Sequence, residues 1–430
     1  MTGGREPDRG GPFPLGAAVT VADLDGDPHP LLHRLRAAEP VSWLPAVGGW
    51  LVTRHDLALA VMRDSRGFTV DDPRFSTAQV VGPSMLSLDG GPHRRHRDPF
   101  SAAFRGAAAR DRLESLATQT AYSLVNELKS AGQSRYGGAA ELRRGLAGPL
   151  AVAVVTGLLG LQDTDPAEVL TWYDAIVTAV TTLSADPAPG PSAIDVPSIA
   201  IDTGQRDIDQ VQAGRAAFAE LRERVTAAVR APGGTSLLAA AAAEGGLSPD
   251  EVASDAAVLM FGGIETTEGM ISNAVLHLLS HPAALAATVA DRSLLPAAVA
   301  ESLRLEPAAA VVDRYATADA ELAGARIRRG DLVRVSIAAA NRDPAVFDHP
   351  DEFVPGRPGP QLNLGFARGP HFCPGAQLAS AETAAAVSAL LDLLPGLRLD
   401  PGRPAAPRGL VFRKPPALHV RWDAPASPAG

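Results

Sequence analysis

The chain has 430 residues, 46% hydrophobic and only 5% aromatic, with a net charge of −9. Such a composition supports a large core of Ala, Leu and Val, and no basic run interleaves with aromatics to favour nucleic acid. One cysteine excludes a disulfide scaffold and fits a reducing compartment.

Residues 1–16 are polar and rich in Gly and Pro, without the apolar core of a signal peptide or membrane anchor. They are expected to be disordered, as is the tail 424–430, which leaves 17–423 as a single domain. The longest apolar stretch, Pro149 to Leu161, is too short to span a bilayer. No membrane association and a cytoplasmic location are therefore expected. Lys129 and Lys414 are the only lysines, so the basic charge is almost all arginine.

Alternating residues around a turn predict strands at Val41–Leu44 and Gly49–Thr53, and others at Ala325–Ile327, Leu332–Ser336 and Ala417–Trp422. Most of the remaining chain repeats apolar residues at three- and four-residue spacing, which argues for helices. Two segments lack regularity, Phe68 to Gly91 and Ser184 to Gly204. Loops of that length inside a compact domain are usually lids or linkers. In DGGPHRRHRDPF, His93 and Arg97 lie four apart and share a helix face, with His96 as the competing histidine.

A long helix opens at Ser248, a good N-cap, with Pro249 at the first helical position and Glu251 completing a capping box. It runs to His281-Pro282, about 33 residues or roughly 50 Å at 1.5 Å per residue. Gly262 and Gly263 interrupt its middle. Each weakens a helix by about 1 kcal/mol relative to alanine, so packing or function must require them. Missing side chains open a groove in which dioxygen could lie against the backbone. Glu265 and Thr266 follow directly, a carboxyl and a hydroxyl with the makings of a proton relay. A glycine kink with a solvated Glu-Thr-Thr is the plain alternative.

Glu301 and Arg304 stand at i and i+3 on one helix face. Arg357, in FDHPDEFVPGRP, could complete a Glu-Arg-Arg cluster with a structural role. Arg314 follows in VVDRYA. The sole cysteine, Cys373, sits in GFARGPHFCPGAQL between Gly369 and Gly375. A lone soft thiolate on a glycine-rich loop that leads into a helix suits the axial ligand of a haem iron. The alternative is a buried, inert cysteine.

The pattern F-x-x-G-x-H-x-C-x-G, carried by Phe366, Gly369, His371, Cys373 and Gly375, resembles the cytochrome P450 family of haem-thiolate monooxygenases. Gly262-Gly263-Ile264-Glu265-Thr266 is similar to that family's oxygen-activating motif, and Glu301, Arg304 and Arg357 to its E-x-x-R cluster. The likeness spans about Asp23 to Trp422. It departs at Ala367, where glycine is frequent, at Pro374, and at Ser380, where arginine often follows Leu-Ala.

The resemblance implies a mainly α fold, a helical body with a long central helix and small peripheral β-sheets. It implies haem b (iron protoporphyrin IX), with Cys373 on the metal and His93, Arg97, Arg314 and His371 at the propionates. Phe366, Gly369, Gly375, Gly262 and Gly263 would complete the cofactor site, and Glu265 and Thr266 the catalytic pair. The implied activity uses O2 to hydroxylate or epoxidise a mostly apolar small molecule, as a tailoring step in bacterial specialised metabolism. A catabolic terpene or aromatic hydroxylase, and an oxidative-coupling or peroxide-driven enzyme of the same fold, are the alternatives. No nicotinamide or flavin fingerprint is present, so ferredoxin and ferredoxin reductase are the implied electron donors, docking where Arg94, Arg95 and Arg368 would offer positive charge. By location, substrate contacts are expected from Val80, Leu86, Val258, Phe261, Ala310, Val311, Leu410 and Val411.

Overall fold

The computed structural model describes residues 12–134, 137–161, 163–185, 203–230 and 237–424. The long helix is its axis. It runs Pro249–Ser280, with Ser248 and Glu251 forming the capping box in both directions and Pro249 in the first turn. His281 caps its end, and the next helix, Pro282–Ala290, leaves at 104°. Among the described residues no single helix is long and apolar enough to cross a membrane.

Two apolar cores meet along this axis. Val252 to Ile264 pack with helices Gly148–Leu159, Pro166–Ala185 and Thr203–Arg230. Met270 to Leu278 pack instead with helices Ala107–Gly132, Leu295–Leu305 and Ala376–Leu393. The Gly262–Thr267 segment falls between the two cores, where the helix can face a cavity rather than a packed neighbour.

The sheets lie at the periphery, as the sequence predicts. One has five strands in the order Val41–Leu44, Gly49–Val52, Leu332–Ser336, Val311–Ala316 and Phe68–Thr69. Only the Gly49–Val52 and Leu332–Ser336 pair is parallel. Ala325–Ile327 pairs with Ala320–Leu322, and the predicted strand near 417–422 is His419–Trp422. The irregular stretch from Phe68 contains a helix, Ser76–Val81, and ends where helix Gly90–Arg105 begins. Residues 186–202 of the second irregular segment lie outside the described residues, as do 1–11 and 425–430.

The expectation of disorder through residue 16 is corrected in part. Pro14–Ala17 forms a helical turn because Glu39 accepts hydrogen bonds from the N–H groups of Leu15 (2.9 Å) and Gly16 (3.0 Å). Gly16 has no room for a side chain there, since a Cβ would stand 2.1 Å from Ser42 Oγ.

Buried ionisable groups give the fold a pH dependence of predictable sign. Burial alone would raise the pKa of Glu306, but the hydrogen bond from His29 (2.9 Å) and the charges of His29 and Arg413 bring it down to about 2. A depressed carboxyl contributes stability above its unfolded value of 4.5 and loses it as pH falls toward 2. His277 is pushed down to about 4 by burial, so the folded protein resists its protonation between 6.5 and 4. Both groups act in one direction. His277 acts between pH 6.5 and about 4, and Glu306 only below 4.5. The denaturant midpoint of the parent is therefore expected to fall more between pH 6.5 and 4 than that of His277→Gln, and parallel profiles would contradict this assignment.

Candidate active site

The cysteine loop is built by the backbone. Cys373 N–H donates to the Phe366 carbonyl at 3.0 Å, which closes the turn and aims the sulfur inward. Gly369 adopts φ +78°, and a Cβ there would stand 2.4 Å from the Met62 carbonyl, so glycine lets the loop lie against helix His55–Arg63. Gly375 needs no special conformation, with φ −87° at the N-cap of helix Ala376–Leu393. Ala367 adopts φ +56°, a left-handed conformation that costs a non-glycine residue roughly 1–2 kcal/mol.

Above the sulfur lies an internal cavity of about 310 Å³ that Cys373 and the long helix line together. Gly262 faces it with nothing within 4 Å of where a Cβ would stand. Gly263 serves packing, because a Cβ would come within 2.5 Å of Val155. Thr266 lines the cavity, and its hydroxyl donates to the Gly262 carbonyl one turn back. That bond competes with the main-chain ladder and opens the groove. Glu265 is absent from the wall. Its carboxylate accepts from Tyr173 Oη and pairs with Lys414 Nζ at 2.8 Å. Lys414 also pairs with Glu268, which Arg143 meets at 2.9 Å on the other side.

At the cavity's edge four cationic or donor side chains converge. His371 Nε2 meets Asp89 Oδ1 at 3.0 Å, and the His93 and His371 rings lie 4.4 Å apart. Asp89 also accepts from Thr69 Oγ1 and the Val70 N–H, so it anchors the group; sequence reading missed it. His96 pairs at 2.8 Å with Asp255 instead, which leaves the site to His93, as the four-residue spacing to Arg97 suggests. Arg97 donates to the Phe372 carbonyl of the cysteine loop.

The donor set fits a haem. His93 Nε2 is buried without a hydrogen-bond partner, and burial, His371 and Arg97 push its pKa down to about 4. Burial also depresses the Arg314 guanidinium, which Asp89 and Asp313 only partly offset. A buried cation in that state calls for carboxylates, and haem brings two. Burial raises the pKa of Cys373, opposed by the Gly375 N–H and Arg97, so a thiolate there needs a cation against it. Among the described residues no group of three His, Cys, Asp or Glu could hold a metal on its own.

The expected substrate wall is partly present. Leu86, Val258, Phe261, Val311 and Val411 line the cavity, with Phe412 stacked edge-on to Phe261 at 5.3 Å. Val80, Ala310 and Leu410 do not. Val80 packs into the core around helix Pro166–Ala185, and Ala310 and Leu410 into the small core beneath the five-stranded sheet. Val80 lies on the core-facing side of the helix Ser76–Val81, and Ala310 and Leu410 point the opposite way from their extended neighbours Val311 and Val411, which reach the cavity. Arg95 is likewise not spare charge for docking, whereas Arg368 is held by neutral carbonyls and keeps its charge. Arg95 pairs with Glu251 at 2.6 Å, and Arg368 donates to the Asn363 carbonyl at 2.7 Å.

Glu301, Arg304 and Arg357 do come together. Arg304 donates from Nε and Nη2 to the two Glu301 oxygens, both at 2.9 Å, and Arg357 Nε meets Glu301 Oε1 at 3.0 Å. The remaining Arg304 donors reach the carbonyls of Asn341, Pro350 and Glu352.

Comparison with known proteins agrees with this geometry. The family profile "Cytochrome P450" matches residues 49–394. The monooxygenase PikC of Streptomyces venezuelae is 33% identical over 416 residues, 93% of this chain and 92% of PikC. The mycinamicin IV hydroxylase/epoxidase of Micromonospora griseorubida is 31% identical over 90% of this chain and 94% of its own. The crystal structure of CalO2 superposes with a TM-score of 0.78 at 32% identity, covering 94% of this chain and 97% of that one. A thiolate loop, a notched axial helix and a buried Glu-Arg-Arg cluster in this arrangement, with these relatives, mean that the chain belongs to the cytochrome P450 family of haem-dependent monooxygenases, which work with a redox partner.

Proposed function

We propose that this protein uses haem b to hydroxylate or epoxidise a mostly apolar small molecule in a tailoring step of bacterial specialised metabolism. The observation that carries this reading is the single cavity that holds Cys373, the Gly262–Thr266 notch and an aliphatic wall together. Tailoring is supported by likeness to relatives such as the mycinamicin hydroxylase/epoxidase. Ferredoxin and its reductase are the electron donors under this reading, and the cytoplasm its location. Residues 17–423 act as a single catalytic domain.

Bound haem supplies the oxygen activation and the attack on carbon that no side chain can perform. Cys373 Sγ would hold the iron and donate charge to it. His93, Arg97, Arg314 and His371 would receive the propionates. Val258, Phe261, Val311 and Val411 orient the substrate and exclude water. Thr266 keeps its own proton on the Gly262 carbonyl, so its Oγ1 lone pairs can accept a proton and pass one inward. Glu265 stands behind it, a carboxylate that pairs with Lys414, accepts from Tyr173 Oη, and would take up a proton on that side and pass it on.

The reading is tested by screening metabolites for a spin-state shift and then measuring incorporation of labelled O2 into product. With a substrate so identified, Thr266→Ala is expected to lower product per NADH by roughly a hundredfold, the low end of acid-base effects. NADH consumption should persist and peroxide appear. Equal coupling in variant and parent would remove Thr266 from proton delivery.

A further inference from the structure

One corner of the cavity is polar, and neither the haem site nor the Gly262–Thr266 notch uses it. Ser76, Ser184 and Asp313 line it. They come from three elements, the Ser76–Val81 helix, the end of helix Pro166–Ala185 and the Val311–Ala316 strand. Arg334, directly opposite Asp313 on the Leu332–Ser336 strand, ties them together. Its Nη2 donates to the Ser184 carbonyl at 2.7 Å, and its Nε stands 3.5 Å from Asp313 Oδ1. The Ser184 hydroxyl in turn lies 2.9 Å from that of Ser76.

The protein alone does not satisfy this corner. Arg334 is 1% exposed, yet its Nε and Nη1 have no hydrogen-bond partner among the described residues, and Asp313 Oδ1 is buried and unpartnered as well. The two side chains balance charge without bonding. The Asp313 side chain is 20% exposed although Oδ1 is buried, so Oδ2 is the oxygen that opens onto the cavity. A carboxylate oxygen only accepts, and it calls for a donor on the molecule that fills the cavity. The charge of that donor is constrained too. Arg334 stands behind Asp313, and Asp313 already offsets part of the cost of burying Arg314, so an ammonium would meet two guanidinium groups. A carboxylate would meet Asp313 itself. A neutral donor avoids both, and on a mostly apolar molecule that donor is a hydroxyl.

We propose that Asp313 is a specificity-determining residue: its Oδ2 accepts a hydrogen bond from a hydroxyl that the substrate already carries, in a polar corner completed by Arg334, Ser76 and Ser184. The inference rests on the monooxygenase reading and deepens it, because it names the substrate class as an apolar alcohol, neither cationic nor anionic at the anchored end. Holding that hydroxyl decides which part of the molecule reaches the Gly262–Thr266 notch. Arg334 does not touch the substrate. It sets the charge behind Asp313 and is a positioning residue.

The test uses the full-length haem-loaded protein and a series of N-alkylimidazoles, whose ring nitrogen binds haem iron and shifts the Soret band. Tails of graded length end in methyl, hydroxyl, ammonium or carboxylate. At the length that reaches the corner, the hydroxyl tail is expected to bind roughly tenfold more tightly than the methyl tail, as one hydrogen bond to a charged group allows. A merely apolar corner reverses that order, because methyl gains more from burial. Asp313→Leu is expected to abolish the hydroxyl's advantage while leaving the methyl tail's Kd close to the parent's. Asp313→Asn keeps an acceptor oxygen but removes the charge in front of Arg334, so it should retain part of the advantage and improve binding of the carboxylate tail. A packing role for Asp313 would shift all four tails alike. The inference is overturned if no length favours hydroxyl over methyl in the parent, a comparison that needs no variant to fold. It is equally overturned if ammonium binds more tightly than hydroxyl, or if the advantage survives in Asp313→Leu. A methyl-tailed imidazole that gives no Soret shift would instead sink the haem-enzyme reading beneath it, so the two failures are distinguishable.

Discussion

Cys373→Ser is expected to abolish both product formation and the carbon-monoxide band of the reduced protein. The chain has no second thiol to substitute for it. Serine presents a hard oxygen whose proton is far harder to remove, and the surroundings of Cys373 do little to help. Burial already raises the thiol, with one backbone N–H and the more distant Arg97 charge against it. The iron itself must therefore stabilise the anion, and it does so for sulfur far better than for an alkoxide. The fold should survive, because the loop is closed by the Cys373 N–H to Phe366 carbonyl bond, which serine retains. Far-ultraviolet dichroism matching the parent, together with loss of the band, is the expected pair of results. An unshifted band in the variant would mean that sulfur does not hold the metal.

What the sequence makes legible here is what is local. The bounds of the long helix follow from Ser248, Pro249, Glu251 and the His281-Pro282 stop, all within a turn of its ends. The loop around Cys373 is legible for the same reason. The direction of Glu265 is not, because Lys414 and Tyr173 decide it and both arrive from distant segments. Strand Val311–Ala316 escaped notice because Asp313 and Arg314 interrupt its apolar run; each is accommodated by distant partners, Asp313 facing Arg334 across the sheet. Glu382, a buried acid of helix Ala376–Leu393 that lines the cavity, is the extreme case. In ASAETAAAV an acid looks like part of a solvated helix face, and only the packing of the Pro249–Ser280 and Leu295–Leu305 helices against it shows otherwise. Arg95 errs in the opposite sense: the sequence displays its charge but not the Glu251 carboxylate that neutralises it.

Glu301→Ala is expected to cost about 3–5 kcal/mol, as breaking a buried ion pair from one side does. Folded domains hold only about 5–15 kcal/mol in all, so this single change should leave little folded protein at growth temperature. The reason lies in what remains. Arg304 is 2% exposed and would keep its charge with carbonyls as its only acceptors. The Val354 N–H, which donates to Glu301 Oε1 at 3.0 Å, would lose its acceptor as well. Damage should spread to the haem site through a short chain of amides. Asn341 accepts from the Leu364 N–H and donates to Asn363, whose own amide holds the Ala300 carbonyl beside Glu301. Leu364 stands two residues before Phe366, where the cysteine loop begins. Denaturant midpoint and haem retention should therefore fall together in Glu301→Ala, and less in Glu301→Gln, which keeps an amide oxygen for Arg304. Replacing Glu301, Arg304 and Arg357 together by apolar residues of similar volume should be milder than Glu301→Ala alone, because no orphaned charge is left behind. If Glu301→Ala instead unfolds at the parent's denaturant concentration and retains its haem, the cluster does not hold the cysteine loop in register.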